Sequence, residues 1–248
     1  AQPGELAART VLADALLERG DPRGELIALQ CSAKPGAAVQ ARRLIKAHWT
    51  ALLGDLALVL DPRGTEFHLG MLTTVRVGIP RAPAWAFTKV HDHRDLATVR
   101  TVMPGQVSHE EYVAFLSSPN LRPERVGFDT PAMFYALETL GRCWPFRAIE
   151  YRYQHLDRRG SAGGVPPLHG ALREGADWLP DVEELVLDDA GHVRVHDQMA
   201  DLIEHVPAWF PRIERIVVRS TLPARALERF RGLPRVTLEA RCEARGDA

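Results

Sequence analysis

Cysteine is scarce in this 248-residue chain, and the three that occur, Cys31, Cys143 and Cys242, lie about 100 residues apart. That spacing gives neither a disulfide framework nor a zinc-binding pattern, so we expect reduced thiols and a cytoplasmic protein. No apolar run approaches the roughly 20 residues that a membrane-spanning helix needs. No positively charged segment followed by an apolar core marks a signal peptide. The sequence therefore predicts neither a membrane protein nor a disulfide-stabilised secreted one.

An excess of charge of one sign is also missing. The formal net charge is −1, with 46% hydrophobic and 25% charged residues, which is ordinary for a globular protein. This balance does not support a dedicated nucleic-acid-binding protein, although it leaves room for a local basic patch.

Motifs of familiar catalytic sites are absent as well. The chain contains no G-x-S-x-G nucleophile elbow, no P-loop and no dinucleotide-binding glycine fingerprint. Glu183 and Glu184 are adjacent carboxylates, but neighbouring side chains point to opposite faces of a strand, so the two cannot act as an acid–base pair. We therefore expect a protein that is not an enzyme and that needs no cofactor.

Histidine and aspartate cluster in two places. Residues 188–197 hold two aspartates, then His192, His196 and Asp197, but the H-x₃-H spacing suits a metal only on a helix, and this stretch begins as a strand-to-helix turn. The sequence favours a polar loop there and leaves open whether His192 and His196 bind a metal. Residues 91–95 (H-D-H-R-D) indicate a solvated charged face.

The chain is rich in one short phrase, apolar-x-x-apolar-x-apolar, whose clearest copy is V-E-E-L-V-L at residues 182–187. Counting that copy, the phrases start at residues 72, 96, 123, 146, 182, 213 and 233, in steps of about 24, 27, 23, 36, 31 and 20 residues. Most of these steps lie in or near the range of leucine-rich repeats. Alternation puts the second and third apolar residues of each phrase on one face of a short strand.

Segments with helical spacing of apolar residues lie between the phrases, at residues 84–95, 109–117, 132–141, 168–178, 195–209 and 224–231. Repeated strand–helix–strand units predict a parallel sheet with helices on one side. We expect an α/β fold: an irregular leucine-rich-repeat-like solenoid over residues 63–242, followed by a frayed tail at 243–248.

The first 62 residues predict a helical module, with helices at 5–19, 25–30 and 39–53. Gly20 is placed to end the first helix, and Asp21 with Pro22 to begin the second. The module has few large apolar residues, so we expect it to dock on the first repeat as a cap.

Residues 12–30 (L-A-D-A-L-L-E-R-G-D-P-R-G-E-L-I-A-L-Q) resemble the signature of the bacterial repeat-companion domain family. Residues 41–49 and 66–77 resemble the blocks that follow it, so the resemblance covers about the first 80 residues. It implies a helical head in front of leucine-rich-repeat-like segments and almost no chemistry. Leu12 and Ala15 stand where the family usually has Tyr and Trp, so a site built on those aromatics is not carried over.

The strand positions between the phrase residues predict an open sheet face with seven arginines and five acids: Thr74, Arg76, Thr98, Arg100, Arg125, Asp129, Ala148, Glu150, Arg152, Glu184, Val186, Asp188, Arg215, Val217, Arg219, Arg235, Thr237 and Glu239. One interpretation is a solvated charged face. The other is a concave recognition surface, the usual use of solenoids, since arginine is enriched at interface hot spots.

We expect a non-catalytic protein–protein interaction module or scaffold, a component of a larger bacterial assembly or of a conflict or defence system. Its protein or peptide partner would contact Arg76, Arg100, Arg125, Glu150, Arg152, Arg215 and Arg219. The alternative is nucleic-acid binding through the same arginines, which a steep fall of affinity with salt would reveal.

Overall fold

The computed structural model describes residues 3–80, 82–138, 144–152, 167–188, 196–220, 230 and 232–240. The chain divides into two compact units, Ala1–Arg122 (the first unit) and Pro123–Ala248 (the second unit). That division falls inside the predicted repeat segment, and the boundaries predicted at 62/63 and 242/243 stay predictions. Of the helices that the structure describes, none has the length and apolar composition needed to cross a membrane.

The first unit opens with helices α1 (Pro3–Glu18), α2 (Pro22–Cys31), α3 (Ala37–Ala47) and α4 (Trp49–Leu53), then a 3₁₀ turn at Gly54–Leu58. Gly20 follows α1 with φ +70°, and the Asp21 side chain accepts a hydrogen bond from the first turn of α2, as the sequence predicts. A Cβ at Gly24 would lie 2.7 Å from backbone atoms of Ala13 and Leu17, so the close approach of α1 and α2 requires glycine there.

Three strands form the sheet of the first unit: β1 (Glu66–His68), β2 (Met71–Val77) and β3 (Thr101–Pro104). β1 pairs with β2 antiparallel, whereas β2 and β3 are parallel, with Val75 opposite Val102. The remaining elements are helix α5 (Ala84–Val90), a 3₁₀ turn at Arg94–Thr98 and helix α6 (His109–Leu116). Ser108 and Glu111 form a capping box at the start of α6, in which each side chain bonds to the backbone N–H of the other residue.

Two sequence predictions for this sheet are wrong. The phrase at Leu96 predicts a strand, but Leu96 lies in the 3₁₀ turn, Val99 follows that turn, and Val102 takes the buried strand position. Leu96 and Val99 are buried all the same, and burial alone does not distinguish a strand from a tight turn. The sequence also predicts an all-parallel sheet, whereas β1 is antiparallel to β2. This strand was missed because three residues are too few to show an alternating pattern.

The helical head packs on the β1–β2 hairpin within the first unit. Gln30 uses both ends of its amide: Nε2 donates to the carbonyl of Phe67 at 2.6 Å, and Oε1 accepts from the backbone N–H of Gly70 at 2.8 Å. Arg23 donates to Asp95 at 2.8 Å. These polar contacts are the kind that the predicted docking of the head requires.

The second unit contains five described strands, β4 (Arg125–Phe128), β5 (Ala148–Arg152), β6 (Glu184–Asp188), β7 (Arg215–Ser220) and β8 (Val236–Ala240), with helices α7 (Pro131–Glu138), α8 (Pro167–Gly175) and α9 (His196–Trp209). The strands are parallel and follow one another in chain order. The predicted α/β class with a mostly parallel sheet is therefore confirmed. Most of the helix predicted at 224–231 and most of the insertion at 157–167 lie outside the described residues.

The phrase residues form the helix-packed face of this sheet. Leu185 and Ile216 are directly opposite on β6 and β7, and both are fully buried, which confirms their predicted register. Phe134 of α7 stacks on Phe128 at a centroid distance of 4.1 Å and lies 6.3 Å from the ring of Tyr151. Alternation therefore directs the residues between these positions to the opposite side, here called the polar face.

The polar face is more buried than the sequence predicts. Its buried positions are Ala148, Glu150, Val186, Asp188 and Val217, each at most 7% exposed. One reason is that the arginine side chain is long: its aliphatic part covers neighbouring residues of the face, while its guanidinium group pairs with a carboxylate. Strand order in the second unit brings such carboxylates within reach.

Candidate functional site

Cross-strand register builds the candidate site on the polar face. Arg125, Ala148, Glu184 and Arg215 lie opposite one another on four successive strands. Four residues further along the strands, Arg152, Asp188, Arg219 and Glu239 do the same on β5 to β8, and the row between the two holds Glu150, Val186 and Val217. Five of the seven predicted partner-binding residues therefore lie on this one face.

Six of these side chains form a continuous ion-pair chain, running in order through Arg125, Glu184, Arg215, Glu239, Arg219 and Glu150. After the short Arg125–Glu184 contact, successive N–O distances are 3.5, 3.0, 2.9 and 2.7 Å. The first pair spans β5 above Ala148, and the last, from β7 to β5, spans β6. These crossings account for the burial of small and apolar residues beneath them.

A separate ion pair, between Arg152 and Asp188, lies next to the ion-pair chain. Nε of Arg152 donates to Oδ2 of Asp188 at 3.1 Å, and the Asp188 side chain is only 1% exposed, whereas that of Arg152 is 37% exposed. A buried carboxylate needs its cation, because an unpaired buried charge is strongly destabilising. Arg152 therefore supports the fold as well as lining the surface.

The ion-pair chain shifts the pKa values of two of its members. Burial opposes the charge of Arg219, but hydrogen bonds and attraction from Glu239 and Glu150 outweigh burial and raise the pKa of Arg219. The hydrogen bond from Arg219 lowers the pKa of Glu239, and the positive charges of Arg215 and Arg125 lower it further. Both groups are therefore held in their charged forms at neutral pH.

The paired charges on this face balance: four arginines (125, 152, 215 and 219) meet four acids (150, 184, 188 and 239). Exposure is uneven, however. Arg215 is the most open at 46%, and the side chain of Glu150 the most buried but one, at 7%. The face therefore presents fixed, alternating charges without an excess of either sign.

The other two predicted partner-binding residues belong to the first unit. Arg76 lies on β2 with Nε 3.8 Å from Asp61, and its stem packs against Gly64, where a Cβ would lie 2.8 Å from it. Arg100 precedes β3, and its backbone N–H donates to the carbonyl of Thr73. The prediction that Arg100 lies on a strand is therefore wrong. In the second unit, Arg235 of the predicted open face precedes β8, with φ +63°, and donates to the carbonyl of Ile213 at 2.6 Å.

A Ser–His–Asp arrangement occurs in the first unit. His91 Nδ1 lies 3.0 Å from Asp92 Oδ1, and His91 Nε2 lies 3.3 Å from Ser117 Oγ. However, the Ser117 hydroxyl donates to the carbonyl of Ala114 at 2.7 Å, so its proton is directed away from the imidazole that would have to remove it. Asp92 is 80% exposed, unlike the buried carboxylate that orients a hydrolase histidine. Asp92 is exposed, as the predicted solvated charged face requires, but Asp95 of the same predicted face is only 18% exposed and pairs with Arg23.

The histidine pair that the sequence offers for a metal, His192 and His196, falls outside what can be described: the first lies outside the described residues, and so does the side chain of the second. The structure brings together a different set. His169 of α8 and Asp201 and His205 of α9 place potential ligand atoms within 4.8 Å of one another. Burial lowers the pKa of His169, and the nearby His205 lowers it further.

A cleft of about 1050 Å³ lies in the first unit, between the α2–α3 pair and residues 61–68. Its charged lining is mixed, with Arg42, Lys46 and Arg63 against Asp61 and Glu66.

Comparison with models of known protein families, with curated proteins and with solved structures gives no match.

Proposed function

We propose that this chain is a non-catalytic protein-interaction module that presents the polar face of its second unit to a folded protein or a peptide. The observation that carries the proposal is the ion-pair chain, which holds arginines and acids in fixed positions at a partly exposed surface. Side chains that are already ordered lose little conformational entropy when a partner binds. Arginine also carries five N–H donors in a planar fork, and a single carboxylate cannot accept hydrogen bonds from all five of them.

Charge balance favours a protein over a nucleic acid. A phosphate backbone that approached Arg215 would also meet Glu184 and Glu239, which lie 3.5 and 3.0 Å from the guanidinium. Nucleic-acid affinity depends on neutralising phosphates with excess cations, and here every arginine of the paired set has an acidic partner. A protein surface with its own alternating charges complements such a face better.

The finer proposal is that the parallel strands belong to an irregular leucine-rich-repeat-like solenoid. In the second unit each strand pairs with the next one along the chain, from β4 to β8. Repeats of a solenoid contact only their neighbours, which requires this order, whereas a doubly wound sheet reverses direction at a switch point. The resemblance of residues 12–30 to the repeat-companion head supports the same proposal and a role in a larger bacterial assembly or defence system.

The test is a pair of single substitutions in one binding experiment. Arg215→Ala removes the most exposed arginine of the ion-pair chain, and Arg212→Ala removes an arginine just before β7 whose side chain is 63% exposed and pairs with Asp181 instead. With a partner recovered from the native host and purified, titration should show weaker binding for Arg215→Ala and unchanged binding for Arg212→Ala. Raising the salt concentration should weaken wild-type binding only modestly.

Two results would contradict the proposal. One is equal affinity of the Arg215→Ala variant and the wild type, with circular dichroism showing both folded. The other is binding to DNA or RNA whose affinity falls steeply with salt, since that dependence reports the release of counterions from phosphates.

A further inference from the structure

Three potential metal ligands meet where α8 and α9 come together in the second unit. Asp201 and His205 are four residues apart on α9, which places them on one face of that helix, and His169 comes from α8. One ligand atom of each lies within 4.8 Å of the others. Bonds of about 2.1 Å at tetrahedral angles separate ligand atoms by about 3.4 Å, so the observed separations are at most about 1.4 Å wider than one tetrahedral ion requires.

The two imidazoles are oriented by their neighbours. Nδ1 of His205 donates to the backbone carbonyl of Asp201 at 2.8 Å, because a carbonyl oxygen only accepts. The neutral ring then carries its lone pair on Nε2, and metal-bound histidines use the same device, with the second ring nitrogen bonded to a carbonyl or carboxylate. Trp209, one turn further along α9, lies 4.5 Å from the ring of His169 and 5.9 Å from that of His205, centroid to centroid.

We propose that His169, Asp201 and His205 form a binding site for Zn²⁺ or a similar divalent transition-metal ion. Two imidazole nitrogens and one carboxylate oxygen suit zinc and its neighbours, whereas Ca²⁺ and Mg²⁺ prefer oxygen ligands alone. Three protein ligands leave a fourth position for water or for a group from outside the protein.

The same contacts also fit a metal-free cluster of aromatic rings between two helices. The rings of His169 and His205 meet edge to face at 5.2 Å, and Trp209 packs against both. Such a cluster stabilises the helix contact by packing and has no affinity for metal ions. Metal binding, measured directly, therefore separates the two interpretations.

The experiment uses the full-length chain without a histidine tag, stripped with a chelator and then titrated with Zn²⁺ in a calorimeter. We expect one ion per chain and a melting temperature that rises with zinc concentration. Co²⁺ in place of zinc should give the strong visible absorption of a four-coordinate ion. The Asp201→Asn and His205→Gln variants keep side-chain volume but lose a ligand, and each should lower the affinity at least about tenfold.

The controls change other candidate ligands. The His192→Ala/His196→Ala double variant and the Cys31→Ser variant should bind Zn²⁺ as the wild type does, and Trp209→Phe should keep the stoichiometry. The proposal is overturned if the wild type does not bind Zn²⁺. It is also overturned if a His169→Ala/His205→Gln variant, shown by circular dichroism to be folded, binds zinc with unchanged affinity. Neither result depends on a protein partner, so the proposed interaction function is not at stake in this test.

Discussion

Replacing Glu150 with glutamine tests whether the ion-pair chain stabilises the second unit. The Glu150 side chain is 7% exposed, and its Oε2 accepts from Nη1 of Arg219 at 2.7 Å. Glutamine keeps the volume and removes the charge, so no cavity complicates the result.

The magnitude follows from what the substitution leaves behind. A hydrogen bond to a charged group contributes about 1.5–3 kcal/mol, and breaking a buried ion pair outright costs about 3–5 kcal/mol. Arg219 keeps Glu239 as a partner at 2.9 Å, and its side chain remains 25% exposed, so the lower range applies. We expect Glu150→Gln to lower the free energy of unfolding by about 1.5–3 kcal/mol.

Urea denaturation followed by circular dichroism measures this loss, with Glu183→Gln as the matched control. Glu183 directly precedes Glu184 of the ion-pair chain and pairs with Arg147 instead. The side chains of Glu183 and Arg147 are 31% and 63% exposed. The control should lose less stability than Glu150→Gln, and 1 M NaCl should abolish its loss, because salt screens exposed pairs far more than buried ones. If the two variants lose equal stability, or if salt removes both losses, the ion-pair chain does not stabilise the fold as argued.

Three further predictions concern the rest of the molecule. Leu185→Ala should lower the free energy of unfolding by about 2–5 kcal/mol, and Val236→Ala on the half-exposed β8 by less; equal losses in urea titration would refute the register. Glu239 has a pKa lowered from 4.5, so its stabilisation is complete above that pH and is lost as the pH falls towards the lowered pKa. The Glu239→Gln variant should therefore lose less melting temperature than the wild type between pH 6 and pH 3, and parallel curves would contradict this. Deleting residues 1–60 removes the contacts of Arg23 and Gln30 and should give insoluble or molten protein, whereas a well-folded 61–248 fragment would disprove the capping role.

The sequence was sufficient for the helix-packed face of the second unit. The phrases on β5, β6 and β7 combine alternation with large apolar residues such as Ile149, Leu185 and Ile216, which are fully buried, whereas Val236 and Leu238 on β8 are only partly buried. In the first unit the same pattern failed at Leu96, because the buried residues of a 3₁₀ turn follow the same spacing. The periodicity of apolar residues therefore predicts which side chains are buried more reliably than the secondary structure that buries them.

The metal-ligand cluster shows a different limit. Asp201, His205 and Trp209 recur every four residues within the predicted helix at 195–209, so the sequence contained two of the three ligands in a readable pattern. His169 could not be added to them, because its proximity depends on how α8 and α9 meet. The sequence instead drew attention to His192 and His196, which are close along the chain.

The polar face could not be understood from its composition, because an arginine's role depends on the strand order that supplies its partner. Glu150 and Arg219 are 69 residues apart and meet only because β5, β6 and β7 are neighbours. Arg152 and Arg219 hold carboxylates that are at most 7% exposed, so reversing their charges would unfold the sheet before it tested binding. Arg215 contacts acids that are 20% and 38% exposed, and water can solvate those groups when it is removed. Arg215 is also the most exposed of these arginines, and its loss leaves neither Asp188 nor Glu150 without an arginine, so weaker binding by the Arg215→Ala variant reports on a partner.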